Sequence, residues 1–143
     1  MRVDFYQLTR DPAELVLPLI ARNTLAAGER LLVVSEDDRQ LQRVSEALWT
    51  RIAESFLAHG RAGDGHEDRQ PILLSAKADP ANGARYMALA DGVWREGTFD
   101  RVFLLFPPAR IDDARGCWRM LGQREGVERR YWRQDGGKWK EGP

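Results

Sequence analysis

Residues 31–37 have the sequence LLVVSED, and this stretch decides the fold class of the chain. Its first four residues are all apolar, which is typical of a strand buried on both faces of a parallel sheet. The polar residues that follow predict a helix, with Ser35 as its N-cap and the acidic run 36–38 at its positive end. A buried strand that leads directly into a helix is the repeating unit of α/β proteins.

The residues before this stretch predict a first strand and a first helix. Residues 3–8 are short, aromatic and partly alternating, as expected of a strand. Asp11 precedes a proline, and Glu14 follows three residues later, which predicts a helix N-terminus with Asp11 as its N-cap. Pro18 lies inside this helix and predicts a kink, and Gly28 predicts its C-terminal end.

The second helix is predicted from an apolar stripe that continues the LLVVSED segment. The stripe consists of Leu41, Val44, Leu48 and Ile52. Trp49 lies beside this stripe, so it belongs either to the core or to a partly exposed edge. Residues 58–70 are polar and rich in glycine, which predicts a surface loop.

The second half of the chain continues the alternation of strands and helices. Further strands are expected at 71–76, 85–90 and 102–106, a helix from 111 to about 123, and an edge strand at 129–134. We therefore expect a single α/β domain over residues 1–143. Its fold class is a three-layer α/β/α arrangement with a mainly parallel, Rossmann-like sheet.

Charge and composition narrow the class of protein. The 143 residues include 22 basic and 22 acidic ones, and a net charge of zero argues against non-specific nucleic-acid binding. Residues 110–143 have nine basic and six acidic residues, a net of +3, so an anionic partner is expected there. The sequence has no signal-peptide pattern and no apolar run of about 18 residues, so we expect a cytoplasmic protein.

Residue types that carry catalysis are few and scattered. The glycine-rich stretch 60–65 lacks the Lys-Ser/Thr ending of a phosphate-binding loop. His59 and His66 share a polar loop, but their spacing matches no usual zinc pattern, so a solvated loop is favoured. Cys117, the single cysteine, lies in a basic helix that could lower its pKa, yet no histidine lies near it in sequence. We therefore expect no catalytic residue, no metal and no cofactor.

Two longer stretches carry a family resemblance. The first is EALWTRIAESFLAHGRAGDG at residues 46–65, followed by the predicted strand PILL; the second is ARGCWRMLG at residues 114–122, followed by RRYWRQDGGKW at residues 129–139. The opening strand with Phe5 and Tyr6 fits as well. Each motif alone is common, but all of them in this order, over nearly the whole chain, resemble the chi subunit of bacterial DNA polymerase III.

The resemblance implies a Rossmann-like fold without nucleotide chemistry and a non-catalytic adaptor function in DNA replication. Chi subunits link the clamp loader to single-stranded-DNA-binding protein. They reach the clamp loader through a small partner called psi, and they can pair with a helicase instead. They contact the C-terminal tail of single-stranded-DNA-binding protein, a short acidic segment that ends in a phenylalanine.

The resemblance also implies the residues that bind this tail. They are Arg115, Trp118, Arg119 and Phe106. On the predicted helix, Arg115 and Arg119 are four residues apart and Trp118 is three from Arg115, so the three share a face. An arginine suits a terminal carboxylate because its planar guanidinium donates two parallel hydrogen bonds. The stretch 107–115 is shorter than in the best-known members and lacks a lysine expected there.

The positions matched to psi or the helicase are Trp49 and Phe56. Packing in the core is an equally good interpretation of both. Two other functions remain open for the chain. One is a small nucleotide- or phosphate-binding enzyme, because a fold does not fix a function. The other is an oligonucleotide binder that uses stacked aromatic and cationic side chains. The residues for that role are Arg129, Arg130, Tyr131 and Trp132.

Overall fold

The computed structural model describes residues 1–51 and 57–142. The strands are β1 Arg2–Gln7, β2 Leu31–Val34, β3 His59–Arg61, β4 Ile72–Ser75, β5 Tyr86–Leu89, β6 Arg101–Phe106, β7 Glu128–Asp135 and β8 Lys138–Glu141. The helices are α1 Ala13–Ala26, α2 Asp38–Thr50 and α3 Ile111–Gly122, with short 3₁₀ turns at Glu67–Arg69 and Pro108–Arg110. In these two ranges, no helix is long and apolar enough to cross a membrane.

The described strands form one sheet in the order β3-β4-β2-β5-β6-β1-β7-β8. Every neighbouring pair is parallel except β7 and β8, which are antiparallel. All four residues of β2 and of β4 are buried, as the continuous apolar runs predict. The predicted α/β class with a mainly parallel sheet is therefore confirmed.

The described residues contain two apolar core clusters, because successive residues of a strand point to opposite faces. Leu31 and Val33 belong to the cluster that includes side chains of α1 and α2. Leu32 and Val34 belong to the cluster that includes side chains of α3. Helix α3 and helices α1 and α2 thus contribute to different clusters, and this separation determines where each exposed helix face can meet a partner.

Both predicted N-caps are wrong. Helix α1 has Pro12 at its N-cap without a side-chain hydrogen bond, while the Asp11 carboxylate accepts a hydrogen bond from Gln134 on β7 (2.8 Å). Helix α2 is capped by Asp37, whose carboxylate accepts from the amides of Arg39 and Gln40. Ser35 was the wrong choice because its hydroxyl accepts the Asp37 amide and remains in the turn before the helix.

The predicted edges of the sheet are also wrong. Strand β7 is not an edge, because it lies between β1 and the additional strand β8. The stretch predicted as a loop at residues 58–70 contains the short strand β3, which forms the opposite edge. Gly28 has φ of +80° and follows the last turn of α1, so the predicted C-terminal end of that helix is confirmed.

Candidate partner-binding groove

A groove of about 390 Å³ lies between helix α3 and the hairpin formed by β7 and β8. It is lined by Arg115, Trp118, Arg119, Arg129, Arg130, Tyr131, Glu141 and Gly142. Four of these residues are arginines and two are large aromatics. Such a surface suits a ligand that combines negative charge with an apolar group.

The α3 wall of the groove follows from the pattern of the helix. Ala114, Cys117 and Leu121 form its buried face, so Arg115 and Arg119 are left on the exposed side. Trp118 lies between these faces and is half-buried. Its ring contacts those of Phe5 (5.2 Å between centroids) and Tyr131 (5.8 Å), both edge to face. These contacts hold the indole in one orientation.

The two arginines on α3 are weakly engaged. Arg115 is 61% exposed, and its Nη1 lies 3.8 Å from Asp112, which is itself almost fully exposed. A pair of this kind contributes little to stability. Arg119 has no ion-pair partner among the residues that the structure describes. The guanidinium groups of Arg115 and Arg119 can therefore bind an external anion without losing a strong contact within the protein.

The two arginines on β7 differ from each other. Arg129 lies over the Trp118 ring, 4.3 Å from its centroid, and its Nη1 donates to the Trp118 carbonyl (2.8 Å). Arg130 pairs with Glu128 (3.2 Å) and lies 3.9 Å from Glu141. The charge of Arg130 is thus largely balanced within the hairpin, whereas Arg129 lies at the aromatic wall without an ion-pair partner among the described residues.

Phe106 does not line the groove. It is fully buried, and Tyr131 takes the wall position that the resemblance gave to Phe106, with the two rings 6.0 Å apart. The Tyr131 hydroxyl donates to Oε1 of Gln7 (2.6 Å). Burial raises the pKa of Tyr131 above its ordinary value, although Arg115 and Arg133 act against this shift. The wall of the groove is therefore a neutral phenol at physiological pH.

The second candidate surface surrounds Trp49 on α2. Its side chain is 50% exposed, and its ring lies 4.6 Å from that of His59 on β3. His59 is fixed in turn by Ser45 Oγ at Nε2 (2.8 Å) and by the Leu57 carbonyl at Nδ1 (2.9 Å). Phe56, the other residue matched to psi or the helicase, lies outside the described residues, as does Ile52.

The residues considered as catalytic or metal-binding candidates have contacts that are typical of side chains with a structural role. Burial raises the pKa of Cys117 to about 11, so the expectation that its basic helix lowers this pKa is wrong. Both ring nitrogens of His59 have hydrogen-bond partners, and no group of potential metal ligands occurs in residues 1–51 and 57–142. A cavity next to the start of α2 measures only about 120 Å³, and Arg61 beside it pairs with Asp38.

The four residues of the oligonucleotide hypothesis do not share a face. Arg129, Arg130 and Tyr131 line the groove, but the Trp132 indole nitrogen donates to the buried carboxylate of Asp4 (3.1 Å). Asp4 alternates along β1 with Phe5, which packs against Tyr131, so Trp132 lies on the other side of the sheet. A continuous stack of bases along all four side chains is therefore excluded.

Comparison of the sequence with known proteins identifies a matching protein family. The family described as "DNA polymerase III chi subunit, HolC" matches residues 1–128. The chain is also similar to the DNA polymerase III subunit chi of Escherichia coli (strain K12), with 43% identity over 56 residues. That alignment covers 39% of this chain and 38% of the relative.

Proposed function

Because the chain belongs to the DNA polymerase III chi subunit family, we propose that it is a non-catalytic accessory subunit of the replicative polymerase. In this role it links the clamp loader to single-stranded-DNA-binding protein by holding the acidic C-terminal tail of that protein. The tail is expected to lie in the groove between α3 and the β7–β8 hairpin.

The observation that carries this proposal is the combination of weakly paired arginines and fixed aromatic rings in one groove. The tail needs a cation for its terminal carboxylate and an apolar wall for its terminal phenyl ring. Arg115 is exposed and only weakly paired, while Trp118 and Tyr131 are held by ring contacts. A volume of about 390 Å³ is within the range of small-ligand sites and accommodates a phenyl ring with its backbone.

A second surface would bind the clamp loader through psi or an equivalent partner, or a helicase in its place. Trp49 supports this assignment because half of a large aromatic side chain is exposed on α2, and such residues often dominate binding energy at interfaces. We assign Phe56 to the same surface by resemblance alone. Helices α2 and α3 contribute to different core clusters, which supports two independent binding sites.

The remaining parts of the proposal concern architecture and location. We propose that residues 1–143 form one domain in which α1 and α2 cover one face of the sheet and α3 the other, as in a Rossmann-like three-layer fold. The two apolar clusters support this arrangement. A replication subunit of this kind would act in the cytoplasm and would need no metal or cofactor.

Calorimetric titration of an acidic peptide that ends in phenylalanine would test the tail site. Arg115→Ala should weaken binding roughly 30-fold or more, as for an interface hot spot. Arg115→Lys should be intermediate, because lysine keeps the charge but loses the planar fork. Removal of the terminal phenylalanine should be as damaging as Arg115→Ala.

Arg22→Ala is the matched control for charge, because Arg22 is an exposed arginine on α1, whose buried residues belong to the other core cluster, and it does not line the groove. It should bind the peptide within about twofold of wild type. Equal affinities for wild type and Arg115→Ala would place the tail site elsewhere on the molecule.

A further inference from the structure

We propose that Arg129, on the β7–β8 hairpin, is a second tail-binding residue that recognises an acidic side chain of the bound tail. This inference rests on the proposed function and assigns a role to a residue outside the matched family segment, residues 1–128. The groove then has two walls with different tasks. Arg115 on α3 binds the terminal carboxylate, and Arg129 on β7 binds a carboxylate further back along the tail.

The first argument is the way in which Arg129 is held. One of its five N–H groups donates to the Trp118 carbonyl (2.8 Å), and its Cζ atom lies over the indole ring, 4.3 Å from the ring centroid. A guanidinium fixed by stacking and by one hydrogen bond loses little conformational freedom when it binds a ligand. The other four N–H groups make no hydrogen bond to the described residues, and an anion could take up those that face the groove.

The second argument is the space that α3 leaves for this side chain. A Cβ atom at Gly122 would lie 2.7 Å from Nη1 of Arg129 and 2.9 Å from its Cζ. The lack of a side chain at the last position of α3 is therefore what allows the guanidinium to reach the Trp118 carbonyl. The position of Arg129 depends on the helix as well as on the strand that carries it.

The third argument is the contrast with the neighbouring arginines on β7. Arg130 is held by Glu128 and lies near Glu141, so its charge is balanced before a ligand arrives. Arg133 is exposed and does not line the groove. Of the three arginines, Arg129 alone combines a place in the groove wall with a charge that no carboxylate of the described residues neutralises.

The test is a titration of the acidic tail peptide, and of peptides in which each acidic residue is changed to its amide, into four variants. Arg129→Gln should weaken binding of the acidic peptide about tenfold. Arg129→Lys should recover part of this loss. Arg22→Gln, which removes the same charge on helix α1 away from the groove, should bind within about twofold of wild type.

Gly122→Ala tests the position of Arg129 without changing any charge. The added methyl group collides with the guanidinium, so tail affinity should fall although alanine favours a helix more than glycine does. A urea unfolding curve for each variant shows that the fold is retained. Unchanged affinity for Gly122→Ala together with unchanged affinity for Arg129→Gln would overturn the inference.

The amide peptides distinguish direct contact from mere support of Trp118. If Arg129 binds an acidic side chain, one amide substitution should remove most of the difference between wild type and Arg129→Gln. If the loss is the same for every peptide, Arg129 only supports the indole and the inference is wrong. Failure of wild type to bind the acidic peptide would refute the proposed function itself, whereas a loss in Arg115→Ala without one in Arg129→Gln refutes only the role of Arg129.

Discussion

Trp118 and Trp49 are both partly exposed tryptophans on helices, but their surroundings differ in charge and rigidity. Trp118 contacts Phe5, Tyr131 and the guanidinium of Arg129, and it lies beside two further arginines of the groove. Trp49 is half-exposed, and its ring contacts the imidazole ring of His59 on a short edge strand.

The difference indicates two kinds of recognition. A ring fixed at the edge of the core and surrounded by cations is prepared for a ligand that brings both negative charge and an apolar group. A half-exposed ring on a helix gains most when a partner buries it against apolar surface. Under the proposed function, these features would suit the groove to a short peptide end and the Trp49 surface to a larger folded partner.

The largest expected effect that separates the two tryptophans is on stability. Trp118→Ala removes contacts with two core rings and should lower the free energy of unfolding by about 3 kcal/mol. Trp49→Ala should lower it by no more than about 1 kcal/mol, because half of the ring is already in water. Urea unfolding of both variants measures the difference, and an equal loss would show that Trp49 is part of the core.

A somewhat smaller effect concerns the independence of the two surfaces. Trp49→Ala should weaken binding to the clamp loader roughly 30-fold and should leave affinity for the tail peptide within about twofold. Arg115→Ala should have the reverse effects, since mutations at well-separated sites are close to additive. Surface plasmon resonance with each partner would show the pattern, and loss of both interactions in either variant would mean that the two sites are coupled.

The smallest effect concerns the hydroxyl of Tyr131 in the groove wall. Tyr131→Phe loses the hydrogen bond to Gln7 and should cost about 1 kcal/mol of stability at neutral pH. Because the pKa of Tyr131 is raised in the folded protein, the unfolded chain releases the phenolic proton first as pH rises. Tyr131 should then reduce the stability of wild type above the unfolded pKa of about 10, and Tyr131→Phe should lack this contribution.

Chemical unfolding at pH 7 and at several values above 10 would follow this change. The difference in the free energy of unfolding between wild type and Tyr131→Phe should become smaller as pH rises. The other ionisable groups are the same in both proteins, so the change in this difference reports on Tyr131. A difference in the free energy of unfolding that stays constant with pH would show that the Tyr131 phenol ionises as easily in the folded protein as in the unfolded chain.

The sequence predicted the central strands well and the edges poorly, for a physical reason. The residues of β2 and β4 are buried whatever the details of packing, so continuous apolar runs identify them. The edge strand β3 has the sequence HGR and β8 has the sequence KWKE, both mostly polar. Their pairing depends on neighbours that are distant in sequence, and local patterns do not contain that information.

The same limit applies to the groove. The resemblance implied Arg115, Trp118 and Arg119, and their spacing on a single helix explains why they lie together along one wall of the groove. The opposite wall comes from β7, and its register beside β1 decides that Tyr131 faces the groove while Trp132 faces Asp4. Phe106 was expected in the groove wall, but it is fully buried. The sequence at the end of a strand does not show whether the last side chain of that strand is exposed or buried by neighbouring elements.

Cys117 has a practical consequence for anyone who handles the protein. A thiol with a pKa of about 11 is almost entirely protonated at neutral pH, and alkylating and oxidising reagents attack the thiolate. Since the sequence contains no other cysteine, the protein should take up maleimide dyes slowly. A cysteine introduced at an exposed hairpin position, as in Lys138→Cys, would then be the preferred point of labelling, and because Lys138 does not line the groove, a fluorophore there would leave the groove residues unchanged.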